Sequence, residues 1–273
     1  MAMLLKKPTS PGQRGMTVSD FAEVTKTTPQ KGLVKRIKKF SGRNNTGRIT
    51  VAHRGGGART LYRMVEFKRT IDQKLQVEAI EYDPNRSANI ALVKTDEGGK
   101  KYILASSKMK AGQKIGAGIK EGSCIELKNI PSATLIHNIE LRPNQGGKIC
   151  RAAGAYASML GLDGKFAVIK LPSGETRKVL SDCKATIGIV GNIDQNKVNI
   201  GKAGRKRHMG IRPTVRGKAK NPVDHPHGGG EGNTSIGLKR PKTPWGMPAL
   251  GFRTRKKSKK LENFIIKSRN KRK

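Results

Sequence analysis

The run Asn221-Pro222-Val223-Asp224-His225-Pro226-His227-Gly228-Gly229-Gly230-Glu231-Gly232 gathers two histidines and two carboxylates in one short stretch. Several chemistries use such residues. A metal site could draw on His225 and His227 at i, i+2, with Asp224 and Glu231 close by. Nearby cysteine ligands and the cysteine pair of a zinc deaminase are lacking, so no metal ligand is assigned. Acid–base or nucleophilic catalysis could combine Asp224, His225 and a hydroxyl such as Thr234. The strand–turn–helix setting of a nucleophile elbow is missing, and a triad is defined by spatial geometry rather than order. Nucleotide binding fits poorly, because Gly201-Lys202 is followed by Ala203, without the earlier glycine and following Ser/Thr of a P-loop. The favoured reading is a structural, non-catalytic loop of Gly, His and Pro.

Other stretches support an anionic partner. Ser41-Gly42-Arg43-Asn44-Asn45-Thr46-Gly47-Arg48-Ile49-Thr50 is followed by His53-Arg54-Gly55-Gly56-Gly57 and Arg59. Glycine lets a backbone approach a surface closely. Arg43, Arg48, Arg54 and Arg59 present planar forks that match phosphate or a guanine edge. Asn44 and Asn45 can pair with base edges or 2′-hydroxyls, and His53 can stack or meet a phosphate. In Asp83-Pro84-Asn85-Arg86-Ser87, Pro84-Asn85 marks a turn. Arg86 and Ser87 are placed to present donors to RNA, or else the turn is sealed by Asp83 and Asn85; both readings stand. Beyond residue 200, Lys202, Arg205, Lys206, Arg207, Arg212, Arg216, Lys218, Asn221, His225 and His227 complete the candidate RNA-contacting set. The chain finishes with further basic residues at 253–260 and 267–273.

The elements that must position these residues follow from the distribution of charge and apolar runs. The 273 residues include 57 Lys+Arg and 19 Asp+Glu, a formal net charge of +38. Such charge speaks about partners rather than fold, and a polyanion gains affinity from every counterion released. Residues 1–60 carry a net +11, residues 61–198 a net +8 and residues 199–273 a net +19. The middle is nearly ordinary; the ends are basic arms. Leu61-Tyr62-Arg63-Met64-Val65-Glu66-Phe67 alternates with the period of a half-buried strand, and residues 75–82 do so over their first half. Residues 89–93, 101–105 and 124–127 follow, making five strand-like runs by Leu127. A second set spans 134–141, 155–162, 165–171, 175–180 and 185–191. Asp163-Gly164 is the expected tight hairpin turn between two of them. Short strands at this spacing suggest two small barrels. The arms should be disordered alone and become ordered on RNA without helix or sheet. Aromatics are 4% of the chain, so clamping of folded RNA by phosphate and shape is expected over single-strand stacking.

Cys124, Cys150 and Cys183 form no Cys-x-x-Cys pair, which argues for free buried thiols in a reducing compartment. No stretch approaches the ~20 apolar residues of a membrane span, and the apolar run at the N-terminus is short for a signal h-region. The cytoplasm is the expected location; an organelle that translates its own messages is also compatible.

Residues 41–50, 82–91, 212–217 and above all 221–232 resemble the bacterial-type large-subunit ribosomal protein L2 family, in order along essentially the whole chain. The resemblance implies an OB-like barrel over 61–125 and an SH3-like barrel over 126–198, flanked by basic arms at 1–60 and 199–273. It implies a non-enzymatic, primary binder of large-subunit ribosomal RNA (rRNA), with neighbouring ribosomal proteins and the small subunit as partners and tRNA as an indirect one. It implies support of subunit association, tRNA placement and the peptidyl-transferase region. No membrane partner and no protein cofactor are implied, Mg²⁺ being held through rRNA if present. The family's proposed helper of peptide transfer falls on His225, as a supporting residue. Residues 16–31 and 233–238 depart from the family pattern. Two rivals are a peptidyl-transfer enzyme using His225 as base, and a DNA-compacting protein.

Overall fold

β-branched and aliphatic runs punctuated by glycine turns give an antiparallel, mainly β chain. The computed structural model describes residues 3–71, 73–116, 118–251 and 263–269. The basic stretches expected at 253–260 and 270–273 lie outside the described residues. In chain order the strands are β1 (Met3–Leu5), β2 (Thr17–Ser19), β3 (Val34–Arg36), β4 (Leu61–Arg63), β5 (Leu75–Glu81), β6 (Ile90–Thr95), β7 (Lys100–Leu104) and β8 (Lys114–Ile115). There follow β9 (Cys124–Glu126), β10 (Leu135–His137), β11 (Ala157–Asp163), β12 (Phe166–Lys170), β13 (Thr176–Leu180), β14 (Lys184–Ile187), a short helix α1 (Ala203–His208) and β15 (Ile265–Lys267). The chain divides into two units, one of residues 1–38, 59–203 and 259–273, the other of residues 39–58 and 204–258.

The first unit holds both sheets. The OB-like sheet runs in the order β7-β6-β5-β8. In β5 the alternation Leu75-in, Gln76-out, Val77-in, Glu78-out breaks at Ala79. A bulge between Val77 and Ala79 in the pairing with β6 is the cause. An inserted residue flips the side chains beyond it, so Leu75, Val77 and Ile80 share one apolar cluster while Ala79 joins Ile90, Leu92 and Tyr102 in another. This is why the sequence alternates only over its first half. Strand β6 is covered on both faces, with Ile90, Ala91, Leu92 and Val93 fully buried; each large aliphatic there contributes roughly 1.5–3 kcal/mol.

The SH3-like sheet runs in the order β15-β13-β12-β11-β10-β14-β9. Its core includes Leu127, Ile136, Ile139, Met159, Ile169 and Cys183. Two expectations are corrected here. The run at 124–127, read as closing the first barrel, supplies β9, which pairs with β14 of the second sheet. The β11–β12 turn is centred one residue later than Asp163-Gly164, because Asp163 pairs with Phe166; only Gly164 takes a positive φ, of 55°. The two sheets are joined by the Ser106–Val190 bridge and by Gly191 N–H donating to the Ala105 carbonyl at 2.9 Å.

Buried polar groups lock the loops. Glu140, 2% exposed, accepts N–H bonds from Asn144 (3.2 Å), Gly146 (2.8 Å) and Lys184 (3.1 Å). Tyr102 donates its hydroxyl to buried Glu81 at 2.6 Å and accepts the Gln30 N–H at 2.8 Å, anchoring residues 26–30 to the barrel. Burial raises the Glu81 carboxyl, opposed by the Tyr102 hydrogen bond and by Lys26. The wholly buried His137 donates from Nδ1 to the Gly188 carbonyl at 2.9 Å, and burial drives its pKa down to about 4. All three cysteines are free and buried.

Residues 3–38 of the expected N-terminal arm belong to this unit. Strands β1 and β2 pair with each other, and β3 pairs with β4. Order without helix or sheet is therefore too strict an expectation for the arms: these strands and α1 are regular structure.

Candidate nucleic-acid interface

The second unit joins pieces of both arms. Residues 53–58 run antiparallel to residues 208–213. Gly55 N–H donates to the Gly210 carbonyl (2.9 Å), Ala58 N–H to the His208 carbonyl (2.8 Å) and Arg212 N–H to the His53 carbonyl (3.0 Å), and Arg54 bridges Ile211. Glycine makes this possible: a Cβ on Gly57 would come within 2.9 Å of the Gly210 backbone. His53 donates Nδ1–H to the Pro213 carbonyl at 3.0 Å, a use of this side chain that spacing did not reveal. Arg54 and Arg212 remain exposed on either side of the seam.

The loop at 41–51 is built around Asn44. Its Oδ1 accepts from Thr46 N–H (3.1 Å), Thr46 hydroxyl (2.8 Å) and Arg48 N–H (2.9 Å). Asn44 thereby shapes the loop that holds Arg43, Asn45 and Arg48 exposed. Gly42 has a φ of +74° and a Cβ there would collide with the Val51 carbonyl.

The histidine loop folds on itself. Asp224 N–H and His225 N–H both donate to the Asn221 carbonyl, Gly228 N–H to the His225 carbonyl, and Gly229 N–H to the Lys220 carbonyl. His225 is 7% exposed. Its Nδ1 accepts the His227 N–H at 3.0 Å, and His227 Nε2 accepts the Lys242 N–H at 2.8 Å. Burial first, then His227 and Lys220, hold the His225 pKa below the usual histidine value. An accepting Nδ1 assigns the proton of the neutral ring to Nε2, a choice made from the hydrogen-bond network. Both rings thus spend a lone pair on backbone amides. Among the described residues, no three His, Cys, Asp or Glu side chains converge as metal ligands. Thr234, in the stretch that departs from the family pattern, donates its hydroxyl to the Gly229 carbonyl at 3.2 Å and so braces the same loop.

In the second unit, Arg43, Asn44, Asn45, Arg48, His53, Arg54, Lys206, Arg212, Arg216, Lys218 and Asn221 are exposed, and Arg205, Arg207 and His227 are half-buried. Arg59, Arg86, Ser87 and Lys202 fall in the first unit. Arg86 Nε donates to Asp83 Oδ2 at 2.5 Å and its guanidinium lies 5.5 Å from the centre of the Phe67 ring. Asp83 also accepts the Asn85 N–H at 2.8 Å, so the turn is sealed from within. Ser87 accepts the Ala153 N–H at 3.1 Å. Arg59 and Lys202 are exposed.

The second unit has one more distinguishing property. Every apolar core cluster among the described residues lies in the first unit. The second carries 18 Lys and Arg against Asp224 and Glu231. It also leaves Phe40, Ile49, Met209, Val223 and Trp245 exposed. Backbone hydrogen bonds, a few side-chain to backbone hydrogen bonds and close glycine contacts hold it together.

Comparison with protein families gives two matches. Residues 30–117 match the family described as "Ribosomal Proteins L2, RNA binding N-terminal domain", and residues 120–246 match "Ribosomal Proteins L2, C-terminal domain". The second match takes in β9, in agreement with its pairing to β14.

Proposed function

The chain belongs to the ribosomal protein L2 family, structural RNA-binding constituents of the large ribosomal subunit, and on that premise we propose that its coreless basic unit is the principal rRNA anchor. The carrying observation is that this unit combines 18 cations with two carboxylates and has no apolar cluster among its described residues. A chain that cannot bury apolar surface needs another source of order, and phosphates supply it by meeting backbone N–H groups and neutralising Lys and Arg. Arg43, Arg48, Arg54, Arg212, Arg216 and Lys218 are the residues we assign to phosphate. Asn45 and Asn221 are the better candidates for bases, since the Asn44 amide oxygen is already engaged.

Support of subunit association, of tRNA placement and of the peptidyl-transferase region belongs to the same reading. So does contact with neighbouring ribosomal proteins and the small subunit. His225 has a positioning role in it. A general base needs an open lone pair within reach of its proton; Nδ1 accepts the His227 amide and Nε2 carries the proton, so the ring shapes the loop and offers a donor.

The test is binding of the full chain to large-subunit rRNA with duplex DNA as competitor, at several salt concentrations. Preference for rRNA, with affinity falling on the order of 10³–10⁵ between about 50 and 200 mM salt, is expected for six to ten phosphate contacts. Equal affinity for duplex DNA would favour the DNA-compacting rival, and a nearly salt-independent affinity would remove the phosphate anchor.

A further inference from the structure

Trp245 is the chain's one tryptophan, and it is 85% exposed. It sits at the tip of a turn that is held firmly. Thr243 N–H donates to the Met247 carbonyl at 2.7 Å, Gly246 N–H to the Thr243 carbonyl at 2.9 Å, and Met247 N–H to the Thr243 hydroxyl at 3.2 Å. Lys242 bridges Pro248, and Ala249 N–H donates to the Pro241 carbonyl at 2.8 Å. Pro244 fixes the backbone before the indole, and Gly246 turns the chain after it at a φ of +80°. The Lys242 amide in turn donates to His227, tying the turn to the histidine loop.

A Trp side chain presents roughly 150–250 Å² of contact surface. Here the turn displays it outward instead of folding it away. Met247 (53% exposed) and Leu250 (74%) flank it. Lys239, Arg240 and Lys242 are exposed beside it, and the sequence has no acidic residue between Glu231 and Glu262. The complementary partner is anionic and offers a flat apolar face. Of the groups in rRNA, an unpaired base does both at once. A duplex base does not, since its faces are stacked and the A-form major groove is too deep and narrow for side chains.

We propose that Trp245 is a base-stacking anchor, which docks the turn on an unpaired nucleobase of rRNA. This rests on the rRNA-binding reading above and adds a contact of a different kind: affinity from a ring face, independent of counterion release. It also gives aromatic stacking a role that the low aromatic content had argued against.

The chain's own indole supplies the test, because selectively excited emission reports Trp245 alone. The full chain is titrated with in vitro transcribed large-subunit rRNA at low and moderate salt. Stacking predicts strong quenching on complex formation. Trp245→Ala should weaken binding between about 5-fold and about 150-fold with the salt slope unchanged, and Trp245→Phe should restore most of the loss. The Arg216→Ala, Lys218→Ala double variant should instead flatten the salt slope and keep the quenching at saturation. Thermal unfolding of the Trp245 variants should match the parent, since the side chain packs against so little. A complex whose emission is unchanged, or merely blue-shifted, overturns the stacking proposal, as does parent-like binding by Trp245→Ala. Absence of any complex removes the rRNA-binding reading itself, and the stacking proposal with it.

Discussion

His225 lies so close to Gly217 that a Cβ added to Gly217 would stand 2.5 Å from Cε1, 2.6 Å from Nδ1 and 2.7 Å from Nε2 of the imidazole. The glycine is the floor of the ring's pocket. Gly217→Ala should force the ring off the His227 amide, and forced overpacking costs typically about 1–3 kcal/mol. Hydrogen exchange at the His227 amide should quicken by about 5- to 150-fold, while global unfolding, governed by the barrels, stays unchanged. Unaltered exchange at His227 would mean the loop absorbs a methyl freely.

The bond from His227 N–H to His225 Nδ1 separates a positioning role from a catalytic one. Glutamine keeps an acceptor and a donor but cannot act as a base near neutral pH. Ribosomes assembled with His225→Gln should form peptide bonds within about threefold of the parent rate, whereas loss of a general base costs about 10²–10⁴-fold. A loss of that size in fully assembled particles would restore the enzymatic rival.

His137 gives a pH dependence of defined sign. Burial places its folded-state pKa at about 4, below the ordinary 6.5 of the unfolded chain. The unfolded state therefore takes up the proton first. The stability that depends on neutral His137 is intact above about pH 6.5 and falls as pH drops toward 4, by roughly 3 kcal/mol in all. Denaturant unfolding of the parent and of His137→Gln, compared at pH 7 and pH 4, should show that difference only in the parent. Equal acid sensitivity in both would mean that the carboxylates alone carry it.

The thiols should be silent. Burial pushes Cys150 up to about 11 and Cys183 up to about 12, and raises Cys124 as well, with Arg69 opposing. Thiolate is the reactive form, so a disulfide exchange reagent near neutral pH should find none of the three in the folded chain and all of them after denaturation. Fast labelling under native conditions would show that a barrel opens.

Barrel strands were legible wherever an alternating run was long enough to fix a face, as for Lys165 to Leu171, which supplies β12. Partners were less so. A three-residue strand such as β9 announces extended backbone but not which sheet edge it completes, and β15 is a three-residue strand in a basic tail. The seam between residues 53–58 and 208–213 is mainly backbone against backbone, permitted by Gly57 and Gly210, with the His53 ring on the Pro213 carbonyl as a side-chain addition, and no periodic side-chain pattern encodes it. At the interface, residue type gave the cations but not their commitments. Arg86 stands three residues after Asp83, a spacing that fits the observed ion pair; the ion pair bears out the sealed turn and does not decide whether Arg86 also faces RNA. Asn44 looked free to read a base because an internal turn uses the same amide.

The most direct test of the central claim is co-sedimentation of the tagged full chain in a cell lysate, resolved into small subunits, large subunits and free protein at low and moderate salt. An rRNA-anchored structural component appears in the large-subunit fraction at one copy per particle and stays there at moderate salt. A chain found free, or spread over nucleic acid without regard to the large subunit, would contradict it.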